Sequence, residues 1–382
     1  MPLVTQLWWI VNILYIFFLY KISHVDTLMC SKIVKFWFIF IFIHIPYAMY
    51  MASGYTDYKE LCENLMFFSL PLSICVFGKP ERFPQLMSKW FIPSWLILVL
   101  VVVPFCEERS AYAKLLIPYT LILFFLPALS KKVRIMSLLA AGITLIMCIS
   151  DRSDWIKMFL CLVAGVSLYK KVIIERLSIL FGIFSKLLFF SPLLFVLIAL
   201  TTGFNILKLD EWLVKEGAVT TTGKNGEDED LASDSRTILY EEAILSAFNH
   251  NYIIQGRSMS RGYESPFFAY IYDEVGVNDR PDERRRAESL IVSVFTYFGL
   301  IGILIYFIIF WIASKKAIYE SKNIYSKLIG LYLSFRWLWL WIEDYPAFDL
   351  NNIFLWLFIA ICLSPSWRNL NNKEVESIMR KI

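Results

Sequence analysis

"RRRAESLIVSVFTYFGLIGILIYF", residues 284–307, sets three arginines and a glutamate directly against a long apolar run. A globular core does not border its most hydrophobic helix with so much charge, whereas a helix leaving a bilayer at the water line does. The apolar run, residues 289–313, exceeds the about 20 residues needed to cross the hydrocarbon layer. The same stretch raises a second question. Arg284, Arg285, Arg286 and Glu288 are either a solvated interfacial anchor or the lip of a site.

The whole chain reads the same way. Of its 382 residues 58% are hydrophobic, 17% aromatic and 18% charged, against about 45–50% apolar and about 25% charged in soluble domains. A net charge of +4 is too small to suggest nucleic acid. The seven cysteines are scattered without a C-x-x-C pair, which argues against a zinc site or a disulfide framework. Further apolar runs lie near 5–21, 33–52, 60–78, 90–106, 114–130, 135–150, 155–170, 183–203, 325–342 and 352–364. With 289–313 they make about eleven candidate spans of an all-α polytopic membrane protein. The first reads as a retained span, because it has neither a basic flank nor a small-residue cleavage motif.

Charge in the connections tests this count independently. Lys21, Lys32 and Lys35 share one side with Lys79, Arg82 and Lys89, Lys131, Lys132 and Arg134, Lys170, Lys171 and Arg176, Lys315, Lys316, Lys322 and Lys327, and the tail. The other side carries Asp57, Glu60 and Glu63, Glu107 and Glu108, Asp151 and Asp154, and Glu343, Asp344 and Asp349. The positive-inside rule makes the first side, and the C-terminus, cytoplasmic. Four regions follow: a bundle over 1–203 with about eight spans, an outer loop over 204–288, apolar helices over 289–364 and a tail over 365–382. The first half of the outer loop, "VTTTGKNGEDEDLASDSR", reads as flexible. Next, Asp234 or Ser235 caps an amphipathic helix near 235–248, with Ile238, Leu239, Ala243, Ile244, Leu245 and Phe248 toward the membrane body.

Arginine recurs on the outer side. Arg152 follows the sixth span, Arg236 opens the amphipathic helix, and Arg257 and Arg261 are one turn apart if their stretch is helical. Arg336 lies within the tenth span, about 9 Å below its end at about 1.5 Å per residue, with Glu343 and Asp344 as available partners. An arginine at that depth is costly and faces a partner or a cavity. Guanidiniums suit bidentate capture of phosphate oxygens, and a lipid-linked pyrophosphate would place its anion at this level. For acid–base chemistry the candidates are Glu288 at the membrane lip and His250 on the outer loop. The aromatic run Trp337, Trp339 and Trp341 offers a sugar platform.

Taken in order, these features resemble the O-antigen ligase and polymerase superfamily of bacterial inner-membrane glycosyltransferases. The resemblance rests on the many spans, "SDR" at 150–152, one large late outer loop opening on Ser235 and Arg236, the glycine-containing "HNYIIQGRSMSRG", and a span reading "FTYFGLIGILIYF". It implies a lipid-dependent glycosyltransferase fold, a glycan donor and acceptor on undecaprenyl pyrophosphate, and a chain-length regulator as partner. It also implies no cofactor or metal, and a pyrophosphate held by Arg152, Arg236, Arg257, Arg261 and Arg336. The ligases carry a His-Asn pair just before the glycine-containing span. Ala287, Glu288 and Ser289 stand there instead, which favours a repeat-unit polymerase over a ligase, with Glu288 or His250 as base; the non-enzymatic alternative, a transporter of lipid-linked sugars, would typically carry paired repeats, which the sequence does not show.

Overall fold

The structure, a computed structural model, describes residues 3–25, 32–106, 109–149, 151–202, 221–222, 228–229, 235–266 and 282–382. Most of the acidic first half of the outer loop, together with Ser150 and Asp234, lies outside them. The described chain is helical apart from two antiparallel two-residue ladders. Four of its helices are long and apolar enough to cross a membrane: Lys32–Met51, Arg82–Phe105, Arg152–Phe195 and Leu290–Glu320. Trp9–Lys21 and Leu350–Leu363 are shorter apolar helices.

Proline decides where several apolar runs break, because it lacks the N–H that an interior helix position must donate. The run near 60–78 becomes the helix Tyr55–Phe68, a tight turn through Pro71 and the helix Ser73–Phe77. The run near 114–130 divides at Pro118 and Pro127 into Ser110–Leu116, Pro118–Leu123 and a final tight turn. Leu350–Leu363 is buried on nearly every side and packs against Ser73–Phe77 and Leu290–Glu320. A helix that is apolar all round belongs in that position. Around it, Leu290–Glu320 packs on Ile324–Ile342, which packs in turn on Phe181–Thr202. Where these last three helices meet, the hydroxyls of Ser185, Ser314 and Ser334 bond one another at 2.7–3.1 Å.

The opening stretch contains a break. Gly299 has φ +63° and ψ −157° inside Leu290–Glu320, so the helix is two pieces meeting at a kink. The outer loop repairs the interrupted backbone. Arg257 N–H donates to the Thr296 carbonyl at 2.7 Å, and the Leu300 and Ile301 N–H groups donate to Ile253 and Ile254 at 2.9 and 3.3 Å. Gly256, φ +78°, completes the fit, since a Cβ there would overlap the Tyr297–Phe298 backbone. A break inside a buried apolar helix is tolerated where other protein groups satisfy its backbone in this manner.

The amphipathic helix forms over Ser235–Asn249. Leu239 and Ala243 are buried with Tyr263, Ala287 and Val292, whereas Ile244, Leu245 and Phe248 remain exposed. Its inward face is therefore narrower than the sequence periodicity suggests.

Connections of like composition meet at a common end of the bundle. At one end Arg285 pairs with Asp57, Arg286 with Glu60 and Glu63, and Lys157 with Asp344. At the other Lys171 pairs with Glu376, Arg368 with Glu320, and Asn372 donates to Glu175.

Candidate functional site: an acid-lined cleft

The arginine triplet is ion-paired rather than solvated. Asp57, Glu60 and Glu63 recur every third residue, so they share one face of the helix Tyr55–Phe68. Arg285 reaches Asp57 at 3.1 Å, and Arg286 reaches Glu60 at 2.6 Å and Glu63. Burial opposes the charge on Arg286, but Glu60, Tyr297 and Tyr345 together outweigh it and the guanidinium is held above its usual range. The third arginine, Arg284, lies 3.4 Å from Glu288. The triplet thus clamps the start of the broken helix to a neighbouring helix.

Arg257 and Arg261 have a comparable role. Their stretch is a series of turns, not a helix, and brings both to Glu283: Arg257 at 2.9 Å and Arg261 at 3.0 Å through Nε. Burial lowers Arg257 despite Glu283, whereas the hydrogen bond to Glu283 raises Arg261. Either would have to leave that carboxylate to take a pyrophosphate. His250 bonds Glu264 and does not line the cleft described next. Arg236 occupies the first turn of its helix; its side chain lies outside the described residues.

A cavity of about 570 Å³ opens where the acidic connections converge. Its walls come from the helix Ser110–Leu116 with Lys114, from Asp151 to Lys157, from Glu288, and from the Glu343–Asn351 connection. Of the sequence candidates Glu288 lines it directly, 56% exposed at its rim. Arg152 stands exposed between the lining residues Asp151 and Ser153. Arg336 supports it from below, 2.5 Å from Asp344.

Asp344 is the hinge of this floor. One oxygen accepts from Lys157 at 2.7 Å and Asn351 at 3.1 Å, and the other from Arg336. Its φ of +90° is strained for an aspartate. Turning back in this manner brings the carboxylate down to the buried guanidinium. Burial alone would raise the carboxyl, but Arg336 and Lys157 hold it well below the usual range. A buried charge requires such partners.

Asp349 behaves oppositely. It caps Leu350–Leu363, accepting from Asn352 N–H at 2.8 Å. It keeps some surface toward the cavity but is closely surrounded, and burial pushes its carboxyl up to about 6, helped by the charge on Asp344. Asp151 is also raised, by burial and then by Asp154. One cleft therefore holds a firmly ionised carboxylate and another poised near neutrality, the separation on which general acid–base sites depend.

Neither Asp349 nor Lys157 was singled out by the sequence reading. The signal for Asp349 was its place just before an apolar helix; Lys157 gave none beyond being a lysine within an apolar run. The proposed aromatic platform is corrected too: Trp337 and Trp339 are buried, and Trp339 donates to Ser153 at 2.9 Å. Tyr345, 48% exposed, is the aromatic at the rim.

No protein-family model matches this chain, and neither a curated protein nor a solved structure is significantly similar to it.

Proposed function

We propose that this chain is a glycosyltransferase of the bacterial inner membrane, a polymerase of O-antigen or capsular repeat units. In this reading about eleven apolar segments cross or enter the bilayer, the lysine-rich end is cytoplasmic and the acid-bearing end is periplasmic. Donor and acceptor are glycans on undecaprenyl pyrophosphate. The observation that carries the reading is the cleft of about 570 Å³, within the usual about 300–1,000 Å³ of small-ligand sites. It joins a poised carboxylate, exposed cations and an aromatic rim at the end where a lipid-linked sugar would present its anomeric carbon.

The chemistry needs a base and a home for the departing anion. Asp349 takes the proton from the acceptor hydroxyl, whose oxygen attacks the anomeric carbon. The bond from that carbon to the pyrophosphate oxygen breaks, and the pyrophosphate leaves with the electron pair. Lys114 on the cleft wall, Arg152 exposed between the lining residues Asp151 and Ser153, and Arg236 at its helix start stabilise the charge that develops there. The Arg336–Asp344–Lys157 group supports the floor. Glu288 at the rim is the competing base, more exposed and tied to Arg284.

The test is the surface glycolipid ladder of a strain lacking this gene, complemented with the wild type, Asp349→Asn or Glu288→Gln. A ladder collapsed to core plus one unit without the gene, restored by wild type and Glu288→Gln but not Asp349→Asn, is the expected result. Bare core with polymer accumulating on the lipid carrier would make the protein a ligase. An unchanged ladder together with unchanged capsule and exopolysaccharide would refute a role in glycan assembly.

A further inference from the structure

A second cavity, of about 360 Å³, lies at the lysine-rich end between Phe181–Thr202 and the far half of Leu290–Glu320. Gly182, Ser185, Lys186, Trp311, Lys315 and Tyr319 line it. Lys186 and Lys315 come from different helices and face the same space, and no carboxylate lines it among the described residues. The nearest acidic residue in sequence, Glu320, is turned to Arg368 at 3.2 Å. Two cations lining one space attract an anion placed between them, the more so where apolar walls exclude water.

The surroundings say what kind of anion. Lys186 sits five residues into its apolar helix, about 7.5 Å from the start at about 1.5 Å per residue. Ile183, Phe184 and Leu187 beside it are exposed apolar residues. From the lysines an aromatic wall runs toward the middle of the bundle: Trp311 stacks on Phe307 at 5.7 Å and meets Phe189 at 5.1 Å and Phe190 at 5.7 Å. A bonded hydroxyl cluster through Ser185 closes the inner side. Gly182 leaves room for the Tyr319 ring, whose hydroxyl lies where a side chain at that position would stand. The cavity thus has a cationic mouth at headgroup depth and an apolar aromatic track below it. Basic pockets between apolar helices on the cytoplasmic side suit phosphate-bearing lipid headgroups.

We infer that this cavity is a binding site for an anionic phospholipid, with the phosphate between Lys186 and Lys315 and an acyl chain along Phe190, Phe307 and Trp311. The glycosyl-transfer reading plays no part in it, because the site lies at the opposite end of the bundle from the acid-lined cleft. A free phosphate shares the headgroup chemistry, so the test separates the two.

The full-length protein, purified in detergent, is examined by native mass spectrometry with dioleoyl phosphatidylglycerol, with dioleoyl phosphatidylcholine and with inorganic phosphate. One phosphatidylglycerol is expected to be retained in preference to phosphatidylcholine. The double variant Lys186→Met/Lys315→Met should bind it about thirtyfold more weakly, since each lysine near an anionic headgroup contributes about 1 kcal/mol and a decade is about 1.4 kcal/mol. Lys186→Arg/Lys315→Arg should remain within threefold of wild type. Should the double Met variant not fold, as judged by elution and unfolding temperature, each single Lys→Gln variant carries the test at about fivefold. Equal retention of the two lipids, or phosphatidylglycerol binding unaffected by the lysine variants, would overturn the site. Phosphate binding that depends on both lysines without any lipid preference would overturn the lipid assignment.

Discussion

Gly299→Ala tests the broken helix, on which the placement of the outer loop depends. Alanine at φ +63° and ψ −157°, a combination essentially restricted to glycine, costs about 2 kcal/mol in backbone strain. Its methyl would also overlap the Ile254 carbonyl and the Gly256 backbone, neither of which can move aside as a side chain could. Relief requires the loop to lift, which weakens the Arg257-to-Thr296 bond at 2.7 Å and the Leu300-to-Ile253 bond at 2.9 Å, at about 1 kcal/mol each. The sum is about 3–4 kcal/mol, near the upper end of single-substitution effects. At about 2–4 °C per kcal/mol for a large domain, the unfolding temperature of the detergent-purified protein should fall by about 6–16 °C. Gly142→Ala is the control. A Cβ at Gly142, inside the helix Lys131–Met147, meets nothing within 4 Å, so alanine should be neutral or stabilising by up to about 1 kcal/mol. Measuring both by fluorescence-detected gel filtration after a heating series decides the matter. If Gly299→Ala unfolds within 1 °C of Gly142→Ala, the loop does not brace the break and the account given for it is wrong.

Four further outcomes follow from the charges. Lys157→Met leaves Asp344 compensated by Arg336 but removes a buried charge-assisted hydrogen bond, 3% exposed at the lysine, and should cost about 1.5–3 kcal/mol in thermal unfolding; an unchanged transition would mean Lys157 does not support the floor. Glu283→Gln removes the carboxylate shared by Arg257 and Arg261, so limited proteolysis should cut the outer loop several-fold faster while the apolar helices stay protected; identical digestion would refute the clamp. Polymerisation assayed on purified protein should lose activity as pH falls through about 6, because Asp349, raised by burial, is protonated there and cannot accept a proton. A limb near 4 would place the base elsewhere. The linkage sign for stability is the reverse: a carboxyl raised on folding contributes stability at low pH that is lost as pH rises through about 6. Asp349→Asn, which keeps a good helix cap, should therefore unfold no earlier than wild type at pH 8, and an earlier transition would contradict the raised carboxyl.

The parts of this architecture that were legible in the sequence are those set by local composition. Apolar length marked the long helices, and the spacing of Leu239 and Ala243 marked the amphipathic helix because that pattern needs only neighbours in the chain. Arg336 and Asp344 stand eight residues apart, close enough for the pair to be weighed from sequence, and it forms. The remaining pairs join distant positions: Arg286 meets Glu60 across 226 residues and Lys157 meets Asp344 across 187. Counting guanidiniums near one face therefore suggested a basic surface seeking an anion, while the fold supplies most of the described members with a carboxylate partner, Arg257 and Arg261 sharing Glu283. The three-residue spacing of Asp57, Glu60 and Glu63 was the visible half of that clamp, but which arginines would meet it depends on the break at Gly299, and a glycine in an apolar run does not announce its φ. The same limit hid Asp349, whose carboxyl is raised by what surrounds it and not by its own sequence neighbours. It follows that a search for catalytic groups in chains of this kind does better to set aside cations with a buried carboxylate partner and ask which titratable groups remain on an open cavity. Here Lys114, Asp151, Asp154, Glu288, Glu343 and Asp349 remain on the cleft's surface, and Asp349 is the one whose burial brings it near neutrality.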